Sequence, residues 1–239
     1  MGYTIFFDKQ PQMNLEMTVI PQRPRPDYNP PMVPLAVVYE DEFVLVLDKP
    51  TGLLTVSGTS PGTHDCLESR AIDYNSEARL VHRLDWDTSG LIIFGLTAKT
   101  RAHLGRQFED RVVKKQYIAR VWGHPDQQSG IVNQPLRCDW PNRPRQMIDH
   151  EQGREAITEW EVISQTETTT DLLMKPKTGR SHQLRVHCQY LGHPIIGDRM
   201  YAPDEAYYAH ERMCLHSTQV EFYHPVTREW LNLKSPCPF

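Results

Sequence analysis

The sequence predicts an α+β fold built on a mixed, mostly antiparallel sheet with flanking helices. Strand-like runs outnumber helical runs, and the two kinds do not alternate in the regular order of a parallel α/β sheet. With 239 residues, the chain can bury a sizeable core as one large domain or as two joined subdomains. The five cysteines are scattered and include no C-x-x-C pair, which favours reduced thiols over zinc or disulfides.

Residues 1–34 contain seven prolines and show no sustained periodicity, so they are interpreted as an arm that leads into one domain over residues 35–239. The β-rich runs 35–39 and 43–48 predict a hairpin, and the turn KPTG at 49–52 ends its second strand, since proline cannot donate to a ladder. A helix is predicted at 63–72. The apolar run GLIIFGL at 90–96 predicts a buried strand.

The remaining elements follow from apolar periodicity and from caps. A rough apolar stripe predicts a helix over 98–111. A second helix is predicted over 181–191, with Ser181 as its N-cap and Gly192 and Pro194 as its stop. Further strands are predicted at 116–122, 156–163, 171–175, 213–222 and 229–233.

Charge is distributed unevenly along the chain. The formal net charge is −4, which by itself argues against a nucleic-acid binder, but residues 99–145 contain ten basic and four acidic side chains. A local basic face of this kind is what RNA binding requires. No apolar run approaches the roughly 20 residues of a membrane helix, and the start lacks the pattern of a secretion signal. A soluble, cytoplasmic protein is therefore expected.

Two polar clusters are candidates for chemistry. Residues 81–90 (VHRLDWDTSG) precede the predicted buried strand, so Asp85 could serve as nucleophile, general base, metal ligand or simple turn residue. A metal site is not expected, because no second histidine-rich cluster lies nearby in the sequence. Residues 175–185 (KPKTGRSHQLR) place Arg180 at a predicted helix N-terminus and Arg185 one turn inside. This pattern indicates either an anion clamp or a capped helix with solvated arginines.

Four motifs in order resemble the RluA family of pseudouridine synthases. They are KPTGL at 49–53, HRLD at 82–85 followed by TSGL at 88–91, KQYIA at 115–119, and GRSHQLR at 179–185. Stretches 116–125, 138–143 and 192–199 further resemble bacterial members with dual specificity for 23S rRNA and tRNA. The resemblance spans residues 35–235, and the arm is too short for the S4 RNA-binding domain of some relatives.

The resemblance implies a fold of two subdomains around a central RNA-binding cleft, and a reaction without cofactor or metal. Asp85 would be the catalytic nucleophile, Arg185 its ion-pair partner, and Tyr117 the residue that stacks on the target uracil and assists proton removal from C5. Arg83 would steady the RNA or fill the space left by the flipped base. Arg180 and Leu215 would line the site.

The implied partner is a loop of 23S rRNA, a tRNA stem-loop, or both. A monomer is expected, because no exposed apolar stripe in the sequence suggests a protein partner. Two alternatives stay open at this point. A carboxylate-using hydrolase of glycosidic bonds would need a second acid near Asp85, for which Asp87 is the neighbour in sequence. A non-catalytic RNA-binding protein could share the same scaffold.

Overall fold

The computed structural model describes residues 20–239, which form one large sheet flanked by helices. The strands are β1 (Ala36–Glu40), β2 (Val44–Lys49), β3 (Arg79–Leu80), β4 (Ser89–Gly95), β5 (Lys114–Trp122), β6 (Ser129–Asn133), β7 (Leu136–Cys138), β8 (Gln146–Ile148), β9 (Ile157–Gln165), β10 (Thr169–Pro176), β11 (Leu215–Tyr223) and β12 (Trp230–Lys234). The helices are α1 (Leu67–Tyr74), α2 (Ala98–Glu109), α3 (Gln183–Tyr190) and α4 (Asp204–Tyr208).

The main sheet has the strand order β1-β2-β4-β11-β5-β10-β9-β6, with β3 paired to β4 and β12 paired to β11. Its pairs are antiparallel except for a short parallel contact between β4 and β11. Strand β11, late in the chain, therefore lies between an N-terminal half and a C-terminal half of the sheet. The predicted α+β class with a mostly antiparallel sheet is confirmed.

Strands β2 and β4 are covered on both faces, which explains their continuous apolar sequences. Every residue of β4 is buried. Leu45 and Ile92 cluster with α1, whereas Val46 and Ile93 cluster with α2, as the alternation of side chains along a strand requires. A third cluster, which includes Trp160 of β9 and Leu184 of α3, forms the core of the C-terminal half.

The structure differs from the sequence prediction at two helix starts. Helix α1 begins at Leu67 rather than at residue 63, because Thr63 donates its hydroxyl to the carbonyls of Gly58 and Ser60 in a preceding turn. Helix α3 begins at Gln183 with His182, not Ser181, as its N-cap. There the Gln183 Oε1 accepts the backbone N–H of Arg180, which closes the turn before the helix.

Several short elements were not predicted. Strands β3, β6, β7 and β8 and helix α4 are five residues long or shorter, and prolines and glycines surround most of them. Such segments give no sustained period, and tertiary pairing decides their structure. Strands β7 and β8 form a separate two-stranded hairpin.

The described part of the predicted arm, residues 20–34, contains no helix or strand and lies along the folded domain. The Tyr28 hydroxyl donates to the Asp65 carbonyl, and Arg70 donates to the carbonyl of Pro31. Residues 1–19 of the arm lie outside the described residues, so the domain boundary stays a prediction. Within residues 20–239, no helix has the length and apolar character needed to cross a membrane.

Candidate active site

A cavity of about 700 Å³ opens between the two halves of the sheet. Its wall combines the loop before β4, the start of α3, the β7–β8 connection and residues of β5 and β11. Five of its lining residues are cations: Arg83, Lys115, Arg143, Arg180 and Arg185. Within the described part of the chain, Asp85 is the one carboxylate in this wall. The cavity is thus strongly cationic although the chain as a whole is acidic.

Asp85 lies in the loop between β3 and β4, and the turn after β2 holds that loop in place. Lys49 is fully buried and donates from Nζ to the carbonyls of Pro50, Leu53 and Trp86 at 3.0, 2.6 and 2.9 Å. Thr55 Oγ1 donates to the Leu84 carbonyl at 2.7 Å. The carbonyls on both sides of Asp85 are therefore fixed, and this accounts physically for the KPTGL segment.

Other contacts between the same two segments add to this clamp. Thr51 Oγ1 donates to the Asp87 carbonyl, and the Trp86 indole N–H donates to the Gly52 carbonyl. Burial lowers the pKa of Lys49 to about 7, which the negative charges of Asp87 and Asp85 oppose. Three carbonyl acceptors around Nζ suit an ammonium group with its three donors.

A close approach of two strands explains why glycine follows the HRLD motif. Gly90 of β4 lies beside Ser217 of β11 with φ of 111°, and a Cβ there would stand 2.3 Å from the Ser217 carbonyl oxygen. Any side chain would force β4 and β11 apart. Leu215 lies two residues before Ser217, and Asp85 lies five residues before Gly90. Both line the cavity.

Arg185 connects Asp85 to a second carboxylate that the sequence analysis did not single out. Its Nη1 lies 3.1 Å from Asp85 Oδ2, while Nε and Nη2 donate to the two oxygens of Asp198 at 2.6 and 2.7 Å. The side chain of Asp85 is 28% exposed, whereas those of Arg185 and Asp198 are 3% and 0% exposed. Asp198 therefore orients the Arg185 guanidinium so that its Nη1 faces the partly exposed carboxylate of Asp85.

Burial disfavours the charged forms of both Arg185 and Asp198. In each residue, the attraction of the oppositely charged partner is stronger than this effect of burial. Arg185 holds the pKa of Asp198 below its usual value, and Asp198 raises the pKa of Arg185. The Asp198 Oδ1 also accepts the backbone N–H groups of Met200 and Tyr201. The Tyr201 hydroxyl in turn contacts His182 Nδ1 at 2.7 Å, which ties the GDRMY segment to the start of α3.

The remaining predicted site residues occupy different parts of the same wall. Tyr117 of β5 is buried, and this burial raises its pKa to about 12. Arg83 is exposed and does not pair with the nearby Asp87. Arg180 lies before α3 rather than in it, and its Nε donates to the Glu155 carbonyl at 2.9 Å. The predicted residues are thus brought together, but Arg180 is not held at the helix N-terminus.

Asp87 lies outside the cavity wall, unlike its neighbour Asp85. Burial raises its pKa, and its backbone carbonyl is engaged by Thr51. A glycosidic hydrolase would need a second carboxylate facing the same space. This arrangement argues against the hydrolase alternative.

Sequence reasoning missed Lys49, Asp198 and Tyr201 as parts of the site. The motif that contains Lys49 was recognised, but burial of a lysine at a strand end has no sequence signature. Asp198 lies in the stretch 192–199, whose resemblance to bacterial relatives implies no particular role for it. Its partner Arg185 lies 13 positions earlier, and neither helical nor strand periodicity connects the two.

Three histidines, of which His187 is buried and His82 and His182 are partly buried, are expected to make the fold sensitive to mild acid. Burial lowers the pKa of His82 to about 3 and those of His182 and His187 to about 4. Below about pH 6.5 the unfolded chain binds protons that the folded chain does not, so the free energy of unfolding should fall between pH 6.5 and pH 4. Each histidine contributes up to about 1.4 kcal/mol per pH unit.

Urea unfolding at pH 5, 6 and 7 measures this slope, in a range where most carboxylates stay ionised. His187→Gln is a suitable comparison, because His187 lies outside the cavity wall and is bonded to Thr158 Oγ1 and the Gln134 carbonyl. Its slope should be smaller by about one histidine's share. Equal stability of the unmodified protein at pH 5 and pH 7 would contradict the prediction.

Comparison with known proteins agrees with this geometry. The model of the RNA pseudouridylate synthase family matches residues 43–190. The dual-specificity RNA pseudouridine synthase RluA of Vibrio cholerae serotype O1 is 47% identical over 214 residues, which is 89% of this chain and 87% of that protein. RluA of Escherichia coli strain K12 is 46% identical over 215 residues, covering 89% of this chain and 98% of that protein.

Two solved structures of RNA pseudouridylate synthase domain proteins have a similar fold. Human RNA pseudouridylate synthase domain containing 1 superimposes with a TM-score of 0.73 at 28% identity, covering 91% of this chain and 87% of that one. Human RNA pseudouridylate synthase domain containing 4 gives 0.68 at 25% identity, covering 85% and 88%. These relatives do not support the non-catalytic alternative. The chain therefore belongs to the RNA pseudouridylate synthase family, whose enzymes isomerise uridine in RNA.

Proposed function

We propose that this protein isomerises a loop uridine of RNA to pseudouridine with Asp85 as the catalytic nucleophile. The observation that carries the proposal is the position of Asp85 as the one carboxylate in the described wall of a cationic cavity, paired with the buried Arg185. A permanently charged guanidinium favours a negative charge beside it. The 28% exposure of the Asp85 side chain leaves it accessible to a nucleotide.

The reaction needs the target base outside its stack. Breaking the bond between C1′ and N1 and rejoining the ring through C5 consumes no cofactor, but Asp85 can reach the nucleotide only after it is flipped. We assign Arg83, which is exposed, lines the cavity and lies two residues before Asp85, to the RNA that the flipped base leaves behind. A loop is the favoured substrate because its bases are already partly unstacked.

Tyr117 and Leu215 are assigned to the flipped uracil. Both line the cavity from neighbouring strands, and stacking on an aromatic ring contributes about 1–3 kcal/mol per base. With its pKa raised to about 12 by burial, Tyr117 is a neutral phenol at neutral pH. This favours stacking over service as an ionised base at C5. Arg180, which also lines the cavity, is assigned to the RNA backbone.

The substrates we propose are 23S rRNA and the anticodon stem-loop of tRNA, which the motif resemblance implies; two RNA substrates also fit the name of the relatives, dual-specificity RNA pseudouridine synthase. Tritium release from C5-labelled uridine in transcripts of both RNAs tests the activity, followed by mapping of the modified position. Tritium release from both RNAs supports dual specificity. Release from one RNA alone supports the activity and restricts the proposed substrate to that RNA. Free uracil as the product would point to a hydrolase, and no release from either RNA by folded protein would reject the proposal. The monomeric state and the cytoplasmic location stay predictions.

A further inference from the structure

A second, smaller cavity of about 220 Å³ adjoins the first, since Arg143 and Pro144 line both. One part of its wall is the turn between β7 and β8, and another is the segment after Asp198. The third part is the described beginning of the arm. Four arginines line this second cavity, namely Arg23, Arg143, Arg145 and Arg199, and its described wall contains no carboxylate.

Arg23 binds the arm to the domain, and the charge of Asp204 neutralises its own. Its guanidinium pairs with Asp204 and donates to the carbonyls of Arg199 and Ala202. Gln22 donates to Asn142 in the opposite wall at 2.9 Å. The arm therefore closes one side of the cavity through specific contacts.

The other three arginines keep their charge available. Within residues 20–239, none of them forms an ion pair. The Arg143 guanidinium lies 4.5 Å from the ring centroid of Trp140, and that of Arg145 lies 5.4 Å from that of Tyr201. Arg199 donates to the Arg23 carbonyl at 3.3 Å. Aromatic and backbone contacts thus orient the three cations around one space without neutralising them.

We propose that this second cavity binds a backbone phosphate of the RNA substrate, next to the nucleotide held at Asp85. Guanidinium groups match phosphate in charge and in hydrogen-bond geometry. The shared residue Arg143 makes the second cavity an extension of the active-site cavity, so one RNA strand can occupy both. The inference rests on the proposed RNA substrate and gives the proline-rich arm a role, because residues 21–23 build part of the wall.

The test measures RNA binding without turnover, in an Asp85→Asn parent, with a fluorescent tRNA anticodon stem-loop at several salt concentrations. Arg145→Gln and Arg199→Gln should each raise Kd about 3- to 10-fold and reduce the slope of log K against log salt by about 0.7–0.9, the share of one phosphate contact. Arg145→Lys, which keeps the charge, should keep most of the slope. Arg79→Gln is the matched control, since Arg79 lies on β3 outside both cavities and pairs with Glu77.

A second measurement places the contact on the RNA. Single uncharged methylphosphonate linkages are introduced around the target loop, and one of them should weaken binding to the parent more than it weakens binding to Arg199→Gln. Thermal melting of each variant verifies that it is folded. If the parent binds RNA but both glutamine variants keep its salt slope, or Arg79→Gln loses as much affinity, the phosphate site is wrong while the proposed function stands. A parent that binds no RNA would overturn both.

Discussion

Asp85→Asn is expected to lower the rate of pseudouridine formation by at least about 10³-fold, or about 4 kcal/mol of activation free energy. The change removes the charge of the proposed nucleophile and keeps its shape, and the amide oxygen can still accept from Arg185 Nη1, now 3.1 Å away. Affinity for RNA should therefore change little. Single-turnover tritium release at saturating enzyme measures the chemical step, and fluorescence anisotropy measures binding.

Asp87→Asn is the matched control for this experiment. Asp87 is two residues away and lies outside the cavity wall, so its replacement leaves the charge that faces the bound nucleotide in place. We expect a loss of rate below about tenfold. Comparable losses in the two variants would mean that the loop as a whole, rather than the Asp85 carboxylate, had been disturbed.

The position of Asp85 could be predicted from the sequence because local signals coincide there. A polar cluster precedes the run GLIIFGL, and this run is buried along its length as β4. A strand buried on both faces must end in a loop at the sheet edge, and catalytic groups favour such loops. The motif resemblance then selected Asp85 from the polar residues of the cluster.

The supporting contacts could not be predicted, because they join segments far apart in the chain. Lys49 and the Trp86 carbonyl are 37 positions apart, and Arg23 and the Ala202 carbonyl are 179 positions apart. Such pairs depend on the strand order, in which β11 separates β4 from β5. Local propensity and periodicity contain no information about that order.

The start of α3 shows the same limit on a smaller scale. Ser181 has the residue type of an N-cap, but His182 takes that position with φ of 54°. Gln183 Oε1 accepts from Arg180 N and from the Thr178 hydroxyl, so its side chain bonds the turn before the helix rather than the free N–H groups of the first helical turn. These contacts fix where the turn ends and the helix begins, and the residue type of Ser181 alone does not reveal them.

Arg185→Met is expected to lower the free energy of unfolding by about 3–5 kcal/mol, because it leaves Asp198 buried without its counter-ion. Asp198 has 0% exposed side chain, so water cannot replace the lost partner. Urea unfolding at pH 7 measures the change. Tritium release should be lost as well, since Asp85 loses the guanidinium at 3.1 Å.

The double variant Arg185→Met with Asp198→Asn separates these two effects. It removes the charge from both buried positions at once, and the asparagine Oδ1 can still accept the N–H groups of Met200 and Tyr201, which Asp198 now accepts. Stability should return to within about 2 kcal/mol of the unmodified protein, while pseudouridine formation stays absent. A double variant as unstable as Arg185→Met would mean that packing of the arginine, not charge balance, holds this region together. A stable and active double variant would show that catalysis by Asp85 does not need the Arg185–Asp198 pair.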